Sequence, residues 1–112
     1  MWGSQVQILP LRPIFLKIIG QAPTETANVS AHILIVEDDE QIQQFLALHL
    51  QNDGYRVSTA LTGEKMFDVL TTKAVDLIIL DLNLPDADGL DLARRIRQTS
   101  SVPIIVASAR KR

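Results

Sequence analysis

Leu77-Ile78-Ile79-Leu80 runs without interruption into Asp81, and no other junction in the chain constrains the fold as tightly. Four consecutive branched apolar residues predict a strand covered on both faces, as in a parallel sheet flanked by helices. Aspartate is a poor strand former, and a carboxylate at the edge of an apolar core is costly unless a cation or hydrogen-bond donors receive it. Asp81 is therefore a candidate functional residue at the carboxyl end of its strand. The bland alternative is an aspartate that only ends the strand in a turn.

The same design appears upstream, where His32-Ile33-Leu34-Ile35-Val36 stops at Glu37-Asp38-Asp39-Glu40. Ile42, Phe45, Leu46 and Leu50 then recur at helical spacing up to Gly54, which predicts a helix over about 40–53 ended by a residue free to take positive φ. Tyr55 to Ala60 reads as a short strand. Thr62 is placed to cap a helix that turns Met66, Phe67 and Leu70 inward. After the strand at 75–81, Asp88 can cap a helix with Leu92, Ala93 and Ile96 toward the core and Arg94, Arg95 and Arg97 toward water. Val102 to Ala107 forms a fourth strand. Strands alternating with helices at this rhythm predict an α/β fold of right-handed units around a doubly wound parallel sheet. Phe45, Met66 and Phe67 are expected to be core packing, and His32 and His49 to be structural.

Residues 1–31 break the pattern. Prolines at 10, 13 and 23 interrupt every apolar run, so an unstructured extension is expected ahead of a single domain at 32–112. The patch at 14–19 contains Lys17 and falls far short of the ~20 residues needed to span a bilayer. Val6 to Pro10 can also be encoded by a stretch that looks like the T-arm of a transfer-RNA gene read in frame, and on that ground a translation start near Ser30 to His32 is expected.

Charge separates the two parts further. Residues 32–109 carry 12 acidic and 6 basic side chains, although the whole chain is only −2. With few basic residues and no interleaved aromatics, a nucleic-acid surface is not expected. The chain has no cysteine, which excludes disulfides and thiolate metal sites and agrees with a reducing, cytoplasmic compartment.

In a parallel sheet all carboxyl ends share one rim, where open α/β folds bind ligands. That rim would gather Glu37 and Asp38 from the first strand, Asp81 from the third and Ser108 from the fourth. Three ionised carboxylates repel by roughly 4 kcal/mol per close pair at an effective dielectric of about 20, so they need a cation. An all-oxygen site favours Mg²⁺, with Ca²⁺ or Mn²⁺ as alternatives. The backbone carbonyl of Asn83 is placed to complete the shell. Beside such an ion a carboxylate can attack a phosphoryl group in line. Asp81, alone on its strand, is the better nucleophile, and Asp39 and Glu40 are suited to starting the helix.

ILIVEDDE, IILDLNLPDADG and VPIIVASAR together resemble the first strand, phosphorylation loop and fourth strand of the receiver domain of bacterial two-component response regulators, in particular those of winged-helix transcription factors. The resemblance implies a flavodoxin-like fold with strand order 2-1-3-4-5. It implies Asp81 as phosphoacceptor, Glu37, Asp38 and the Asn83 carbonyl at Mg²⁺, Ser108 as the switch hydroxyl, and a sensor histidine kinase as partner. A complete receiver continues past the fourth strand with a helix, a fifth strand bearing an active-site lysine, and a last helix. The expectation here is a fold truncated after the fourth strand, whose open edge invites dimerisation or aggregation. Two other functions compete: a non-catalytic fragment that lends this edge to a partner, and a Mg²⁺-dependent aspartyl-phosphate phosphohydrolase. The second is weaker, because such enzymes want an acid where this chain has Asn83.

Overall fold

The structure, a computed structural model, describes residues 6–10 and 30–108, with residues 6–10 and 108 described by their backbone only. Five strands form one parallel sheet: β1 (Val6–Pro10), β2 (His32–Val36), β3 (Arg56–Ala60), β4 (Leu77–Asp81) and β5 (Ile104–Ser108). Their order is β1-β5-β4-β2-β3. Three helices connect the last four strands: α1 (Glu40–Asn52), α2 (Gly63–Thr72) and α3 (Gly89–Arg97).

Alternation along the central strands sorts the core into two layers. Leu34, Val36, Ile78, Leu80, Ile104 and Val106 meet Met66 of α2 and Leu92, Ala93 and Ile96 of α3 on one face. Ile33, Ile35 and Ile79 meet Leu46 and Leu50 of α1 on the other. Because both faces are covered, β2 and β4 carry no polar residue before their last position apart from His32. That histidine is satisfied where it lies, with Nδ1 2.8 Å from the Ala74 carbonyl and Nε2 2.7 Å from Ser58 Oγ.

The helix ends follow the chemistry of their caps. Asp39 Oδ1 accepts from the Gln41 and Ile42 amides at the start of α1, and Gly54, with φ of 98°, ends that helix in the left-handed region. Thr62 Oγ1 accepts from the Lys65 amide, and Asp88 Oδ1 from the Leu90 amide. Each such side-chain cap is worth about 1 kcal/mol.

Three expectations are corrected. Phe45 is 65% exposed and stacks on His49, with ring centroids 6.1 Å apart. The buried stripe of α1 runs through Gln43, Leu46 and Leu50, and Phe45 falls beside it. Arg97 does not face water: its guanidinium donates to the Ser100 and Val102 carbonyls and closes the turn before β5. Finally, residues 1–31 are not uniformly without structure. Val6–Pro10 pairs in parallel with Ile104–Ser108, so β5 is no open edge. Strand addition draws on backbone groups that every residue carries, which is why side-chain periodicity gave no sign of it. Pro10 is tolerable because β1 is itself an edge strand. The expectations for residues 11–29, including the apolar patch at 14–19, lie outside the described residues.

Two outcomes are expected from this architecture. Deleting residues 1–10 bares the β5 edge, so the shortened chain should unfold at lower urea and self-associate more in sedimentation; identical behaviour of the two chains would show that the β1 pairing carries no stability. The second concerns Asp86, whose carboxyl is held below the ordinary aspartate value chiefly by the Gly63 amide and further by the Glu64 amide, against an opposing effect of burial. A depressed value stabilises the fold above the unfolded aspartate value and loses that contribution as pH falls through the folded one. As pH falls below the ordinary aspartate value of about 4, the native chain should therefore lose more stability in urea titrations than Asp86→Asn, and parallel pH profiles would contradict this.

Candidate functional site

The parallel register sets the site. Val36 of β2 is level with Leu80 of β4, so Glu37 and Asp81 emerge side by side at the carboxyl rim. Asp81 is in turn level with Ala107 of β5, whose small side chain leaves room above the strand end. Glu37 and Asp81 are buried and Asp38 is half-buried. One carboxylate oxygen from each of Glu37, Asp38 and Asp81 lies within 4.8 Å of the others. The structure thus brings together the three acids picked from the sequence.

Their supports are largely backbone groups. The Asp39 amide donates to Glu37 Oε2 at 3.0 Å and fixes that carboxylate, while the Glu37 amide donates to the Ala60 carbonyl at 3.0 Å. Asn83 lies two residues beyond Asp81 and forms an isolated bridge with Asp88, which folds the loop back on itself. Ser108 closes β5 one residue beyond the partner of Asp81; its hydroxyl lies outside the described residues.

Two residues that matter here were not picked from the sequence. Gln43, buried on α1, donates through Nε2 to the carbonyls of both Glu37 and Ala60 at 3.1 Å, and so ties the acidic turn to the end of β3. A polar residue at a core-facing helical position was the available signal. Gly89 starts α3 so close to β4 that a Cβ there would stand 2.5 Å from the Asp81 carbonyl oxygen and 2.9 Å from Leu82 Cα. Its amide donates to the Leu82 carbonyl at 2.9 Å.

The donor set is all oxygen and anionic, which suits a hard divalent cation of the Mg²⁺ or Ca²⁺ type over zinc. Two buried carboxylates and a third beside them are costly unless positive charge joins them.

Residues 33–112 match the model of the response regulator receiver domain. The chain belongs to this family. The receiver is 49% identical over 79 residues to the KDP operon transcriptional regulatory protein KdpE of Escherichia coli, covering 70% of this chain and 35% of that protein. It is 44% identical over 79 residues to the response regulator ArlR of Staphylococcus haemolyticus, covering 70% of this chain and 36% of that one. The chain thus spans about a third of the length of these curated relatives. Among solved structures it is similar to the response regulator TrrA of Thermotoga maritima in complex with Mg²⁺-BeF, with a TM-score of 0.68, 34% identity, and coverage of 72% of this chain and 71% of that one. Receivers of this family are phosphoacceptors of two-component systems and not enzymes in the ordinary sense. The four strands of residues 32–108 keep the flavodoxin-like order 2-1-3-4, and β1 occupies the place next to the fourth. Among the described residues no helix is long and apolar enough to cross a membrane.

The close approach at Gly89 makes the receiver sensitive to one methyl group. Gly89→Ala forces the backbone of Asp81 and Leu82 to move, at a cost of about 1–3 kcal/mol. We expect a lower thermal midpoint and weaker Mg²⁺ binding by calorimetry; a variant matching the native chain in both would show that the backbone yields without disturbing the site.

Proposed function

We propose that this receiver accepts a phosphoryl group on Asp81 from the phosphohistidine of a sensor histidine kinase. A carboxylate oxygen of Asp81 attacks phosphorus in line, an O–P bond forms, the N–P bond breaks, and the departing imidazole keeps its electron pair and takes up a proton. Asp38, Asp81 and the Asn83 carbonyl would hold Mg²⁺, with Glu37 completing the acidic pair. The ion supplies charge neutralisation for the phosphoryl oxygens. The chain itself keeps the acceptor oriented, through the β4 register and the Gly89 contact, and keeps the acidic pair in place through Gln43 and the Asp39 amide. The Ser108 hydroxyl is assigned to donate to a phosphoryl oxygen and so report the modified state.

What carries this assignment is the meeting of Glu37, Asp38 and Asp81 within 4.8 Å at one rim. Asp81 stands alone at the end of its strand, whereas Glu37 and Asp38 follow β2 as a pair; the lone carboxylate is assigned as acceptor and the pair as holders of the ion. A transcription-regulating output in the cytoplasm fits the curated relatives, whose names describe transcriptional regulators. The phosphohydrolase alternative has no support in the geometry, since Asn83 stands where its second acid would be. The edge-lending alternative loses its premise, because β1 already pairs with β5.

Incubation with Mg²⁺ and acetyl phosphate should add one phosphoryl group by intact mass, in a linkage cleaved by hydroxylamine. Asp81→Asn should add none, and removal of Mg²⁺ by chelation should slow the native chain at least about tenfold, as expected when a metal supplies the charge stabilisation. Equal labelling of Asp81→Asn would refute Asp81 as acceptor.

A further inference from the structure

The loop from Leu82 to Asp88 is held at its ends by its own βα unit, through the Gly89 amide on Leu82 and the Asp88 cap of α3. Beyond that unit, the Leu82 amide donates to the Ala107 carbonyl of β5 at 3.3 Å, and the far side of the loop reaches α2 through Asp86. Asp86 Oδ1 accepts from the Gly63 amide at 2.9 Å and Asp86 Oδ2 from the Glu64 amide at 3.2 Å, so a single carboxylate grips the first two amides of α2. The next two amides of that helix are satisfied locally, Lys65 by Thr62 Oγ1 and Met66 by the Thr62 carbonyl. The approach is close, since a Cβ on Gly63 would stand 3.0 Å from Leu92 Cδ1 and 3.5 Å from Asp86 Oδ2.

The corner gripped by Asp86 is also attached to the other half of the site. Ala60, three residues before Gly63, offers the carbonyl that receives both the Glu37 amide and Gln43 Nε2. Residues 60–64 are therefore fastened on one side to the acidic turn of β2 and on the other to the loop that follows Asp81. Met66, fully buried in the core, anchors the helix that carries this corner.

We propose that Asp86 is a positioning residue, which uses the β3–α2 corner as a strut to hold the Asn83 and Asp81 side of the site at a fixed distance from Glu37 and Asp38. This rests on the assignment of those residues to a divalent ion. Beyond their last paired residues β2 and β4 no longer hold one another, and the strut takes over where the sheet stops. A capping carboxylate also stabilises its helix, so the two roles need separating. Thr62 provides the control, because its side chain accepts from the Lys65 amide at the same helix end, whereas Asp86 holds the Gly63 and Glu64 amides.

The test compares the full chain with Asp86→Ala, Asp86→Asn and Thr62→Ala. Mg²⁺ titration and amide hydrogen exchange, both followed by NMR, give two separate readouts. Asp86→Ala should weaken Mg²⁺ binding about tenfold, the lower end of what loss of an outer support costs a metal site. It should also speed exchange at Asn83, Leu84 and Gly89. Asp86→Asn, keeping one acceptor oxygen, should fall between it and the native chain. Thr62→Ala should lower thermal stability and leave both readouts near native. Native Mg²⁺ affinity and loop exchange in Asp86→Ala, or equal losses in Thr62→Ala, would overturn the strut. If the native chain itself bound no Mg²⁺, the phosphoacceptor assignment would fall and the site role of Asp86 with it. Binding by the native chain with an unshifted Asp86→Ala would remove the role of Asp86 alone.

Discussion

Val36 stands level with Leu80 because β2 and β4 run in parallel, and that one register decides what happens at the rim. A shift of β2 by one residue would exchange Leu34 and Val36 for Ile33 and Ile35 in the layer that α2 and α3 cover, and would carry His32 or Glu37 out of its place at a strand end. With both faces apolar, the register is held by the polar residues at the ends of the run and by the fit of individual side chains. Once it is locked, Glu37 and Asp81 have no freedom about where they emerge. The site is in this sense a by-product of packing: the hydrophobic interior supplies the precision, and the acids stand where the strands run out.

What the sequence could disclose followed from how local the determining interaction was. Apolar runs, the caps Asp39, Thr62 and Asp88, and the positive-φ glycine at 54 are set by neighbours in the chain, and their elements lie close to where the pattern put them. The convergence of Glu37, Asp38 and Asp81 is not local, yet it follows from parallel topology alone. Gln43, Gly89 and Asp86 escaped because each acts on a partner that only the folded chain brings near. Their reach is to Ala60, to the Asp81 carbonyl and to the start of α2. Phe45 failed for the opposite reason: helical spacing from Ile42 allowed two stripes, and spacing cannot choose between them.

β1 shows a different limit. Pairing with β5 needs backbone donors and acceptors in register and little from the side chains, so a segment broken by prolines can still complete a sheet. The family order places its last strand in this position, and here an amino-terminal strand fills it. The parallel direction matters, because an antiparallel segment would present a different ladder and run its end away from the carboxyl rim. Pro10 lies level with Ser108, so the chain leaves β1 at the same rim as the acids.

Electrostatics and packing pull against each other at this rim, and the resolution explains the form of the site. Glu37 and Asp81 are buried, which removes water that would otherwise screen them, while Asp38 keeps partial access to solvent. Repulsion among them favours separation, but the strands, Gln43 and the Asp39 amide forbid it. Positive charge placed beside Asp38, the half-buried member, would relieve that repulsion. On the proposed assignment, phosphorylation would add negative charge and bulk at Asp81 and would have to be answered by the groups around it. The acidic turn is pinned to Ala60, and the loop after β4 is tied to α2 through Asp86. With both halves tied to the corner at residues 60–64, the stiffness of the contact between α2 and the loop would set how far a change at Asp81 travels.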